Sequence, residues 1–193
     1  MNALKPNIAE AFIHVLYEME MLHGAAELVR VSPSPSTMHN VALESFVIHA
    51  RALEEFFCKK APKEPDDTMQ PAHFVPGFGK QPSSTYNSRM HKEIAHLTYS
   101  RKRPGEKRGW TISEVVAQVG KWSLPFLESG SKADEVMKFD RNRERTLRQI
   151  EVFKAAIKEW DEQRPWAVKV TSGTTAPAES IYMNEGVSGV PGI

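Results

Sequence analysis

Apolar residues recur at three- and four-residue intervals along most of this chain, and strict alternation is nearly absent, so the pattern predicts helices and almost no strand. Ile8, Phe12, Val15, Leu16, Met19, Leu22 and Ala26 share one face over 7–30, just behind Pro6, a residue suited to a helix start. The prolines and serines of 31–37 break that pattern. A second helix is predicted over 38–60, with Leu43, Phe46, Val47, Ala50, Leu53 and Phe57 inward and a mixed stripe of Glu44, Ile48, Arg51 and Glu55 beside it. Residues 61–81 read as a long loop holding His73, Phe74 and Phe78. A third helix is predicted over 83–99. Thr111, with Glu114 three residues on, reads as the N-cap of a fourth, whose buried face is Ile112, Val115, Val116, Val119 and Trp122 and which Pro125 should end or kink. From 131 to 160 one long or broken helix carries Leu147, Ile150, Phe153, Ile157 and Trp160 at helical spacing, with Arg141, Arg143, Arg145 and Arg148 near its middle. Gly, Ser, Thr and Pro dominate the rest, which reads as a loose tail. The expected architecture is all-α, with a bundle over 1–130, an additional helix packed on it over 131–162, and a tail over 163–193.

Length and charge narrow the function classes. A chain of 193 residues suits one domain with a sizeable core. Twenty-five Lys and Arg against twenty-four Asp and Glu argue against a protein that coats nucleic acid by charge alone, while leaving room for a local basic patch. One cysteine, Cys58, excludes an intrachain disulfide and a Cys-based zinc cage, and makes the cytoplasm the expected location. It reads as a packing residue, since no nucleophile motif accompanies it. No signal-peptide core or membrane span can be drawn near the N-terminus, where His14, Glu18 and Glu20 interrupt the apolar pattern.

Candidate chemistry concentrates in the predicted third helix. Arg89 and His96 are seven residues apart, nearly two turns, and so project from almost the same stripe about 10 Å apart along the axis. A histidine with a near-neutral pKa can move a proton, and a guanidinium can hold a phosphate by two parallel hydrogen bonds. Beyond them, 101–108 packs five basic residues and one acidic residue into a loop.

This stretch resembles the short motif of the HEPN superfamily (higher eukaryotes and prokaryotes nucleotide-binding), an arginine and a histidine separated by four to six residues in an all-helical domain. Arg89 and His96 match with six between them, although Met90 stands where many members carry a polar residue, with His91 next. A wider pattern, Glu44 to Phe57, then Asp66-Asp67 and Lys92 to Thr98, is also similar to a family of small uncharacterised bacterial proteins over about residues 5 to 129. The superfamily resemblance implies a metal-independent endoribonuclease without cofactor, often a toxin or defence effector, acting as a homodimer. In that reading Arg89 holds the phosphate, and His96 from each chain supplies one of the two proton transfers of RNA cleavage. Lys92, His91, Arg101, Lys102 and Arg103 would contact further phosphates, and Tyr86, Tyr99 or Trp110 would stack on bases. RNA and an antitoxin or other protein are the implied partners, with no membrane. The alternative is a non-catalytic helical interaction module.

Two other groupings carry expectations. Glu44, His49, His91 and His96 are conceivable metal ligands, but no tight ligand pair supports them, so no metal is expected. Arg51 is expected to pair with Asp66, Asp67 or Glu55.

Overall fold

A computed structural model describes residues 7–33, 36–59, 68–83 and 111–169, with side chains described to Glu162. The fold is all-α. Helix α1 spans Ile8–Val31 and α2 Thr37–Cys58. A single turn, α3, covers Pro71–Phe74. Helix α4 spans Ile112–Gly130, a 3-10 turn covers Val136–Lys138, and α5 runs Asp140–Lys169.

Local chemistry sets the helix starts. Asn7 Oδ1 accepts the backbone N–H of Glu10 (3.4 Å), and Ser36 Oγ accepts that of His39 (3.1 Å). Thr111 caps α4 as its sequence predicts, accepting the N–H of Glu114 at 3.2 Å. In α3, Pro71 fills a first-turn position that needs no N–H donor. This turn lies inside the stretch that reads as loop, and is too short to show periodicity.

The first two helices form an antiparallel hairpin, and α4 and α5 form another packed on it. The predicted inward stripe of α2 is buried throughout, as are Phe12, Val15, Leu16, Met19 and Leu22 of α1. Phe126 sits among Phe12, Phe56, Phe57, Phe74 and Phe78, with ring centroids 5.4–6.3 Å apart, so the aromatic group of the loop completes the core. Offset and edge contacts of this kind add to simple area burial. Gly77, at φ +81°, turns the chain between Phe74 and Phe78, a conformation that costs glycine little.

Three expectations need correction. Pro125 does not end α4: the helix continues to Gly130. Pro125 lies on the exposed side, where water can take the place of the missing backbone donor. Leu147, assigned to the inward stripe of the last helix, is 55% exposed. Ile150 and Phe153 of that stripe are buried, but in the first turns the buried positions are Asn142, Thr146 and Gln149, residues that hydropathy marks as outward. Asn142 explains its own burial, since its Nδ2 donates to the carbonyls of Ala9 and Val136, both at 2.9 Å, tying the start of α5 to α1 and to the 3-10 turn. Finally, α5 continues through Arg164 to Lys169, past the point where the sequence reads as tail.

Helices α4 and α5 pack closely at Gly120. A Cβ placed on Gly120 would stand 3.0 Å from Cδ1 of Phe153 and 3.3 Å from two atoms of Ile157, so this position admits only glycine without a shift of the facing side chains.

Candidate functional site

Arg89, His96, His91, Lys92, Arg101, Lys102 and Arg103 all lie outside the described residues, as do Tyr86, Tyr99 and Trp110. What is described is the pair of points between which their segment runs. At one end, Ser83 Oγ donates to Glu54 Oε1 (3.1 Å), Gln81 N–H donates to the Phe57 carbonyl (2.9 Å), and the Cys58 thiol donates to the Pro82 carbonyl (3.4 Å). At the other, Thr111 caps α4. Both ends are thus fastened to long helices of the core.

Cys58 behaves as a packing residue. Burial, reinforced by the neighbouring Glu54 carboxylate and only partly opposed by Lys80, pushes its thiol up to about 12. A thiol so protonated is a poor nucleophile at neutral pH.

Directly beyond the cap, Ile112 and Ser113 line a cavity of about 420 Å³ between α1, α4 and α5. Its walls are Ala26, Val116, Val152, Ala155 and Ala156, and Glu27, Arg30 and Glu159 are its charged residues. His23 also lines it, its ring 4.6 Å from that of Phe153 and its Nε2 buried without a hydrogen-bond partner. Burial lowers the His23 pKa to about 4 despite the nearby Glu27 carboxylate, because an imidazolium there would lose its water. The imidazole is therefore neutral at physiological pH. Glu27 is engaged by Arg30, whose Nη2 lies 2.7 Å from its carboxylate. Apolar walls, one neutral polar ring, two carboxylates and a guanidinium already held by Glu27 suit an uncharged planar group better than a phosphate. Sequence reasoning passed over this cavity. Its one signal was a histidine within the inward face of α1, between Met19 and Ala26.

His49, considered above as a metal ligand, has another role. Its Nδ1 is 2.7 Å from Glu18 Oε2, and the Tyr17 ring meets its edge at 5.9 Å. Glu44 is exposed on a different face of α2, so the two do not converge. Among the described residues, no group of three or more His, Cys, Asp or Glu side chains is placed to hold a metal ion. The expected Arg51–Glu55 pair is not formed: Glu55 lies 3.9 Å from Lys59, and Arg51 Nε is buried without a hydrogen-bond partner. Asp66 and Asp67 are outside the described residues.

Three of the four arginines clustered in α5 are engaged within the chain. Arg145 grips Glu20 of α1 with two hydrogen bonds (2.8 and 2.7 Å), Arg148 pairs with Glu144 of its own helix (3.0 Å), and Arg141 lies over the Phe139 ring at 5.1 Å. Among the described residues, no helix is long and apolar enough to cross a membrane. No family model, curated protein or solved structure matches the chain.

Proposed function

We propose that the protein binds and cleaves single-stranded RNA without a metal, through Arg89 and His96. The observation that carries this reading is the Arg-x6-His spacing followed within a few residues by the basic run of 101–108, in a chain whose fold is all-α. His96 takes the proton from the 2′-hydroxyl beside the scissile phosphate, Arg89 holds the phosphate through the developing charge, and a second copy of His96 protonates the leaving oxygen. The basic run contacts further phosphates. The cavity at His23 offers a place for a splayed base, since an uncharged ring suits its apolar walls and a phosphate does not.

Purified protein incubated with a mixed pool of single-stranded RNAs in excess chelator is expected to cut it, leaving 2′,3′-cyclic phosphate ends. Arg89→Lys should lose that activity, because lysine keeps the charge but not the planar two-pronged grip. An RNA pool left intact by the parent, or cut only until chelator is added, contradicts the proposal. The second reading, a non-catalytic interaction module, is favoured by one observation: Tyr17, Leu28 and Val31 of α1 and Met38, Val41 and Ile48 of α2 are exposed.

A further inference from the structure

The His23 cavity presents two hydrogen-bonding demands beyond its fit to a flat ring. One comes from the imidazole. Phe153 packs against it at 4.6 Å, and Nε2 is closed off from water without a hydrogen-bond partner. A neutral imidazole carries one N–H and one bare nitrogen, and an orphaned buried N–H is the costlier of the two, so Nε2 is the bare nitrogen and the proton sits on Nδ1. The ring therefore offers a donor.

The other comes from Glu27, one helical turn beyond His23 on α1 and lining the same cavity. Arg30 donates to it from Nε (3.2 Å) and Nη2 (2.7 Å), but both bonds fall on Oε2, which leaves Oε1 outside that grip. Glu159 brings a second carboxylate from α5. An ionised carboxylate only accepts, so this rim calls for N–H groups.

We infer that the cavity binds a guanine base, with His23 Nδ1–H donating to its O6 and N7 edge and Glu27 Oε1 accepting from its N1 and N2 edge. Among the four RNA bases, only guanine sets two acceptors beside two adjacent N–H donors. The amino groups of adenine and cytosine each adjoin a ring nitrogen that only accepts, and the N3–H of uracil lies between two carbonyls, so each of these bases turns an acceptor toward the carboxylate. Guanine alone does not. A cavity of about 420 Å³ falls within the range of small-molecule sites, and its apolar walls suit the faces of a bicyclic ring. The site deepens the RNA reading and rests on it for the source of the base, but the binding uses neither Arg89 nor His96.

Equilibrium dialysis of the full chain against uncharged nucleosides tests this without a cleavage step. Guanosine is expected to bind with a Kd on the order of 100 μM, the scale set by the binding energy per atom of a ligand this size. Adenosine, cytidine and uridine should bind about tenfold more weakly, since each leaves a hydrogen-bonding group unmatched. Ala155 is exposed on the cavity wall, so Ala155→Trp should keep the parent's thermal midpoint and abolish guanosine binding. His23→Phe keeps a ring against Phe153 but no nitrogen, and should bring guanosine down to the affinity of adenosine. Tighter binding of the trinucleotide UpGpU than of guanosine places the base in a strand, whereas tighter binding of GTP than of UpGpU overturns that source. Equal binding of all four nucleosides, no binding of guanosine, or undiminished binding by a folded Ala155→Trp variant overturns the guanine site. The two readings fail separately: guanosine binding by a protein that cuts no RNA upholds the site and contradicts cleavage, and RNA cut by a protein that binds no guanosine contradicts the site alone.

Discussion

His23 shows how one buried polar ring links packing to pH. Its folded-state pKa is lowered from 6.5 to about 4, so as the solution is acidified the unfolded chain takes up this proton first. The associated stability is fully present above pH 6.5, is lost as pH falls from 6.5 toward 4, and changes no further below that. A shift of this size corresponds to at most about 3 kcal/mol. Urea midpoints of the parent and of His23→Gln, measured across this range, should therefore diverge, with the parent losing stability more steeply on acidification. Parallel pH profiles would show that His23 is solvated and ionises freely in the folded protein. In the local sequence only its place on the inward face of α1, between Met19 and Ala26, sets this histidine apart from the exposed His14. Its character comes from Phe153, which approaches from a helix far away in the chain.

Among elements, the helices whose inward faces are apolar were readable before any coordinates. The stripes of α2 and α4 and the cap at Thr111 are found where three- and four-residue spacing and capping chemistry put them. The first half of α5 was not readable in this way, because Asn142, Thr146 and Gln149 take the buried positions and leave Leu147 outside. The exposure of Tyr17, Leu28 and Val31 on α1 was not readable for the opposite reason: apolar residues spread around a helix blur the contrast that marks its inward face. Packing between α4 and α5 is checked most simply at Gly120. Gly120→Ala places a methyl group against the fully buried Phe153 ring and should cost about 1 to 3 kcal/mol, read as a lower thermal or urea midpoint. An unchanged midpoint would mean that Phe153 and Ile157 move aside freely and that the helices are less tightly packed than described.

At the scale of the whole molecule, the all-α fold and the candidate site were legible to different degrees. Periodicity sums over many residues, so single exceptions such as Leu147 do not change the fold class. A site rests on a few side chains, and the sequence yields Arg89 and His96 only as a spacing. The described structure supplies the frame on either side of them: Ser83 is bonded to α2, and Thr111 begins α4 beside the His23 cavity. RNA cleavage by His96 is the central claim, and the most direct measurement compares parent and His96→Ala on the same single-stranded RNA pool in excess chelator. The account predicts cleavage by the parent and at least a hundredfold loss in the variant, the order expected for removing a general acid–base group, with the two proteins unfolding at the same temperature. Cleavage undiminished in a folded His96→Ala variant, or none by the parent across the pH range in which a histidine titrates, would contradict it.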